Sequence, residues 1–124
     1  MPPKISSAEW EVMNVIWAQA PRTATEIFAA LPAGHGWKQK TVNTFLARLV
    51  DKGFLAADTS ERAFTYTARR SREKCVQRES ESFLQRVFDG ATGELVLHFA
   101  ARADLTPEEI RELEQLLKSK KAGQ

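Results

Sequence analysis

The sequence has very little cysteine: Cys75 is the single thiol in 124 residues. One thiol cannot close an internal disulfide, and it cannot by itself build a zinc or copper site. The chain also lacks an apolar run of about 18 residues and the charged-then-apolar start of a signal peptide. We therefore expect no metal site, no membrane insertion and a cytoplasmic location.

Motifs for catalysis are missing as well. The sequence contains no phosphate-binding glycine loop, no nucleophile elbow and no Ser-His-Asp arrangement. His35 lies between two glycines, and His98 has no Cys or second His nearby at metal-ligand spacing. The acidic residues of "SREKCVQRESESF" alternate with Arg and Lys, which favours local ion pairs over a paired-carboxylate site. The sequence predicts neither an enzyme nor a cofactor.

The charge that is present is small and unevenly distributed. The net charge is +2, which does not by itself indicate a nucleic-acid partner. Residues 1–70 carry nine Lys and Arg against six Asp and Glu, whereas residues 71–124 carry nine against ten. The basic excess therefore lies in the first part of the chain.

Residues 1–70 show the pattern of three helices. The first follows the serines of "SSAEW", which can cap a helix, and the second follows "TATE", a capping-box pattern. The third runs from about Gln39 to Lys52 and ends at Gly53, a residue suited to a left-handed helix end. Beyond it, "FLAAD" and "RAFTYTA" flank a polar tip and predict a two-stranded hairpin. This order is typical of a winged helix-turn-helix domain.

Residues 71–124 are predicted to be helical, with apolar stripes that a small chain cannot fully cover by itself. A second copy of the chain would cover them, so we expect a homodimer and a C-terminal helical dimerisation region. The predicted fold class is thus mainly α with a small β-hairpin, a winged helix-turn-helix followed by that region. The residues expected at the dimer contact are Phe83, Leu84, Val87, Leu95, Phe99, Ile110, Leu113 and Leu117.

The third predicted helix has two distinct faces. Apolar residues of "TVNTFLARLV" fall on one side at 100° per residue, whereas Lys40, Thr44, Ala47, Arg48 and Asp51 fall on the other. Such a polar face can simply meet water. In a winged helix it can also enter the DNA major groove, where Arg forks onto guanine and a small Ala allows close approach. A protein partner docked on the same helix is the alternative function: a winged-helix interaction module without sequence-specific DNA binding.

Four stretches of the chain resemble the BlaI/MecI/CopY family of winged-helix repressors. They are "SSAEWEVMNVIW", "WKQKTVNTFLARLVDKGFL", "ERAFTYTA" and "GELVLHFAARADLTPEEIRELEQLL". The resemblance implies a homodimeric transcriptional repressor that binds double-stranded operator DNA of palindromic sequence. The positions that it implies for DNA contact are Lys38, Lys40, Thr41, Thr44 and Arg48 on the third helix and Arg62 on the wing.

The family resemblance also implies how repression ends. Its copper-responsive branch has a C-terminal cysteine cluster that this sequence lacks, which leaves the beta-lactam branch. In that branch a bond in the dimerisation region is cleaved, and the local pattern "LVLHFA" places the bond between His98 and Phe99. The resemblance therefore implies a membrane-bound sensor protease as a further partner, and a beta-lactam or cell-wall signal.

Overall fold

The computed structural model describes residues 3–123, which form six α-helices, one 3₁₀ turn and three β-strands. The bounds are α1 Ser7–Ala18, β1 Arg22–Thr23, α2 Ala24–Ala30, the 3₁₀ turn Ala33–His35, α3 Gln39–Asp51, β2 Leu55–Asp58, β3 Thr65–Ala68, α4 Arg72–Phe88, α5 Thr92–Arg102 and α6 Pro107–Ala122. The chain divides into two compact units, one ending at Arg78 and the other starting at Glu79. The division between residues 1–70 and 71–124 stays a prediction.

The core of the first unit is assembled from α1, α2, α3 and the start of β2. Its fully buried side chains include Met13 on α1, Ile27 on α2, Leu46 on α3 and Leu55 on β2, none more than 1% exposed. Each such side chain contributes roughly 1.5–3 kcal/mol when it is removed from water. The core therefore fixes how α3 is seated, and with it the direction of the opposite face of α3.

The sheet has three strands in the order β1-β3-β2, all antiparallel. β2 and β3 form the predicted hairpin, with Leu55 opposite Ala68 and Asp58 opposite Thr65. The short strand β1, paired with β3 through Arg22 and Thr23, was not predicted. Two residues are too few to show the alternation by which strands are recognised.

The helix boundaries follow the capping chemistry of the sequence. Ser6 and Thr23 each accept a hydrogen bond from the amide three residues later, and the carboxylate of that later Glu accepts one in return. Just beyond the C-terminal end of α3, Gly53 adopts a φ of +87°, which is unfavourable for a residue with a Cβ. The predicted start of α1 and the predicted end of α3 are thereby confirmed.

An ion pair between a buried carboxylate and a half-buried lysine joins the start of α1 to the end of α3. Lys52 Nζ donates to Glu9 Oε1 at 2.7 Å and to the Lys4 carbonyl at 2.8 Å, and Glu9 is only 1% exposed. Burial raises the pKa of Glu9, but hydrogen bonds from Lys52 and Ser6 outweigh burial, so the pKa lies below its usual value. This pair anchors the C-terminal end of α3 to α1.

The second unit consists of the rest of α4, α5 and α6, and none of its described side chains is buried. α6 begins at a Thr106 and Glu109 capping box with Pro107 at its first position. Among the described residues, no helix is long and apolar enough to span a lipid bilayer. In this unit α6 therefore has a capped N-terminus, and the helices have uncovered apolar faces.

Candidate nucleic-acid interface

The inner face of α3 is held rigidly by the core. Val42, Leu46 and Leu49 are each 0% exposed. Phe45 is half-buried, and its ring lies edge-on to that of Trp37, with centroids 5.2 Å apart. Because these side chains occur every three or four residues along the helix, they leave the opposite side of α3 pointing outward.

That outer side is a continuous, shallow and open surface, which we call the α3 face. It is lined by Lys40, Asn43, Thr44, Ala47, Arg48 and Asp51. All six residues are exposed. No side chain from another part of the described chain contributes to this lining. The face is therefore free to accept a partner along about three turns of helix.

Unpaired cations flank and occupy the α3 face. Within residues 3–123 the side chains of Lys38, Lys40 and Arg48 take part in no hydrogen bond or ion pair. Lys38 also precedes the first turn of α3, whose amides no side chain caps. Open amides and nearby cations favour a phosphate at this end of the helix.

The two threonines of α3 differ in what they offer. Thr44 is exposed, and its hydroxyl donates to the Lys40 carbonyl at 3.1 Å. Its oxygen can still accept a hydrogen bond, and its methyl group suits the methyl of thymine. Thr41 is half-buried, so a smaller part of its surface is available to a partner.

The wing is the turn between β2 and β3. The Asp58 carboxylate accepts a hydrogen bond from the Ser60 amide at 2.9 Å, and hydrogen bonds from Ser60 lower the pKa of Asp58. Arg62 is exposed, and its side chain has no partner within the described residues. The wing thus presents one further free cation. Phe64 beside it is 50% exposed.

Sequence reasoning missed Asn43, which lies on the α3 face between the predicted contacts. Its position could be predicted from helical spacing, since residues three apart, such as 40 and 43, are neighbours on a helix surface. Helical spacing does not predict the hydrogen bond that orients its side chain, which runs from Gln39 Nε2 to Asn43 Oδ1 at 3.0 Å.

The second unit has an apolar surface of a different kind. Half or more of the side chain is exposed at Val87, Leu97, Phe99, Leu116 and Leu117, with Leu97 the most open at 72%. The remaining predicted contact residues are Ile110, which is 42% exposed, and the half-buried Phe83, Leu84, Leu95 and Leu113. Leu97 and Leu116 were not among the predicted contacts. Large apolar side chains exposed on all three helices of the unit favour an interaction site.

The predicted cleavage position lies inside α5. His98 is exposed, its ring lies 5.9 Å from that of Phe88, and its Nδ1 lies 3.2 Å from Arg102 Nη1. Phe99 is 51% exposed. The residues on both sides of this peptide bond are therefore accessible, although the backbone is helical.

Groups that could support other chemistry do not converge in the described residues. No three of the His, Cys, Asp and Glu side chains between residues 3 and 123 come together as a metal site. Burial raises the pKa of the Cys75 thiol, with a smaller opposing effect from Arg70 and Arg78. A buried thiol with a raised pKa is a poor nucleophile at neutral pH.

Three packed helices, an antiparallel sheet with a wing, and an outward α3 define a winged helix-turn-helix protein of the DNA-binding regulator class. The chain belongs to the penicillinase repressor family, whose sequence profile matches residues 5–119. This result confirms the resemblance and the predicted fold class.

Two curated relatives match this chain over almost their whole length. The penicillinase repressor of Bacillus licheniformis is 38% identical over 119 residues, which cover 96% of this chain and 93% of the relative. The methicillin resistance regulatory protein MecI of Mammaliicoccus sciuri is 35% identical over 117 residues, or 94% of this chain and 95% of the relative.

A solved structure is similar to part of this chain. It is the solution structure of monomeric Bacillus licheniformis BlaI in complex with the blaP half-operator. It is 37% identical to this chain with a TM-score of 0.50, and the match covers 59% of this chain and 89% of that one.

Proposed function

We propose that this protein is a homodimeric transcriptional repressor that binds a palindromic operator through α3 of each subunit. The observation that carries the proposal is the α3 face: an exposed, mainly polar surface whose cations have no partner within the described residues, on a helix whose other side is fixed in the core. The BlaI relative with the same fold is described in complex with a half-operator, which supports the same partner for this chain.

The proposed docking mode places α3 in the major groove. Arg48 forks onto a guanine edge, and Thr44 and Ala47 allow close approach to the bases. Lys38, Lys40 and Arg62 contact phosphates, which position the domain without reading sequence. Thr41 contributes from the edge of the contact, since it is half-buried.

The second unit supplies the dimer in this proposal. Its helices have no buried side chain of their own, and their exposed Leu, Val and Phe side chains would be covered by the same surface of a second copy. Two linked half-sites then bind as one unit, so that operator affinity depends on the dimer as well as on each α3 contact.

Release follows from cutting the second unit. Cleavage between His98 and Phe99 would detach the end of α5 and all of α6, and with them Leu116 and Leu117. A protease binds an extended segment, so α5 must open locally, which is inexpensive for a helix with no buried side chain. We propose a membrane-bound sensor protease, acting on a beta-lactam or cell-wall signal, as the trigger.

Binding of the purified protein to duplex DNA selected from a random pool tests the repressor proposal. We expect selected sequences with two inverted half-sites, bound at least a thousandfold more tightly than random duplex, in line with the roughly 10³–10⁷ range of specific over non-specific binding. Failure to enrich any sequence would reject DNA recognition and favour a protein-interaction module.

Mass spectrometry of the protein from cells treated with a beta-lactam tests the release step separately. The proposal expects a fragment that begins at Phe99. An intact chain during induction would reject cleavage at this bond without affecting the DNA-binding proposal.

A further inference from the structure

The amide side chain of Gln39 connects two helices. Its Nε2 donates to the Ala24 carbonyl, in the first turn of α2, at 3.1 Å. The same nitrogen donates to Asn43 Oδ1, one turn further along α3, at 3.0 Å. Both hydrogens of the Gln39 amide group are therefore used, and the side chain is half-buried.

The first of these bonds fixes the direction of the second. A backbone carbonyl can only accept, so the group of Gln39 that faces Ala24 must be the NH₂ group. That NH₂ group also faces Asn43, and a donor requires an acceptor opposite it. Asn43 must then turn its oxygen toward Gln39, which leaves Asn43 Nδ2 as the group with two unused hydrogens.

Asn43 lies where a base would be read. It is exposed and shares the α3 face with Lys40, Thr44 and Ala47. A short side chain beside an alanine is suited to close contact with a base edge, whereas the longer Lys40 side chain reaches a phosphate in the proposed docking mode. Its amide is also held in place before DNA binds, so little rotational freedom is lost on binding.

We propose that Asn43 is a specificity-determining residue that donates to a base acceptor in the major groove, and that Gln39 is its positioning residue. This inference rests on the proposed function and identifies one base preference within it. Guanine (O6 and N7) and thymine (O4) present acceptors to a donor, whereas cytosine presents its N4 amino group. Adenine also presents an acceptor, N7, but an asparagine pairs with adenine through both Oδ1 and Nδ2, and the bond from Gln39 occupies Asn43 Oδ1.

Replacing each operator base pair in turn, in duplexes selected by the wild-type protein, tests the inference. At one position of each half-site, the wild type should prefer guanine or thymine over cytosine. Asn43→Ala should lose that preference while keeping the others. The loss should be about fivefold per half-site, the lower end of the range for a direct base contact, because one donor group makes it.

Gln39→Ala gives a result that a purely structural role would not. Without Gln39 the Asn43 amide can rotate and pair with adenine, so discrimination against adenine at the same position should fall. The double variant Gln39→Ala/Asn43→Ala should have the base profile of Asn43→Ala alone, because Gln39 acts through Asn43. Gln39→Met keeps the length of the side chain without its amide and should behave like Gln39→Ala. This variant shows that the effect comes from the lost hydrogen bonds and not from lost packing.

The outcomes separate this inference from the proposed function. An Asn43→Ala profile identical to that of the wild type, on DNA that the wild type selects, would overturn the role of Asn43 and leave the repressor proposal intact. A Gln39→Ala profile that keeps full discrimination against adenine would overturn the role of Gln39. Absence of any selected sequence for the wild type would instead reject the repressor proposal.

Discussion

The salt dependence of operator binding follows quantitatively from the unpaired cations of the first unit. Lys38, Lys40, Arg48 and Arg62 have no partner within the described residues, so each can neutralise a phosphate without first breaking a bond. A dimer would present two sets. With about eight phosphate contacts, log affinity should fall with log salt at a slope of about −7. If Arg48 contacts bases in both subunits, about six remain and the slope is about −5.

Fluorescence polarisation of a labelled operator, titrated at several KCl concentrations, measures this slope. Doubling the salt should weaken dimer binding by roughly 40- to 150-fold, compared with about 12-fold for a single subunit making four contacts. Lys40→Ala should reduce the slope by about 1.8, because each dimer loses two contacts. The control is Lys74→Ala, an exposed lysine in the first turn of α4, which should leave the slope unchanged.

Two results would refute the reasoning. A wild-type slope shallower than about −2 would mean that few phosphates are neutralised, whatever the affinity. Equal slopes for Lys40→Ala and the wild type, with Lys74→Ala showing the reduced slope, would place the phosphate contacts outside the α3 face.

Four further predictions concern single side chains. Arg48→Ala should cost about 1–3 kcal/mol of binding free energy and relax the base preference at one operator position. Competition with base-substituted duplexes measures both effects. Equal weakening on all sequences would instead assign Arg48 to a phosphate contact. Leu117→Glu should convert the dimer to a 14.0 kDa monomer in sedimentation velocity, whereas Lys118→Glu beside it should not; an intact Leu117→Glu dimer would remove this surface from the contact. Lys52→Met should lower the free energy of unfolding by about 3 kcal/mol in urea, because it leaves the Glu9 carboxylate buried without its cation, and unchanged stability would contradict the anchoring role. Folding lowers the pKa of Glu9, so the stability that Glu9 contributes is present above the ordinary carboxyl range and is lost as the pH falls through its folded pKa. The free energy of unfolding of Glu9→Gln should therefore fall less steeply with decreasing pH than that of the wild type.

The features that could be predicted from the sequence are those with local causes. The two faces of α3 follow from the spacing of Val42, Leu46 and Leu49, and burial of all three agrees with that spacing. The capping boxes involve residues only three apart, so the starts of α1, α2 and α6 could be read directly. The wing was evident from alternation across the hairpin.

The features that were missed depend on parts of the chain that meet only after folding. Strand β1 exists because Arg22 and Thr23 pair with residues more than 40 positions later. The ion pair of Glu9 and Lys52 likewise joins residues that are 43 positions apart. The orientation of the Asn43 amide depends on a carbonyl of α2, which helical spacing within α3 cannot reveal.

Hydroxyl-radical footprinting of a selected operator tests the central claim, that a dimer presents two α3 faces to one DNA duplex. The account predicts two protected patches on the same side of the duplex, centred one helical turn of about 10 base pairs apart or a multiple of it. Both patches should disappear at the same protein concentration for Leu117→Glu. A single protected patch, or two patches that survive in a variant shown to be monomeric, would contradict it.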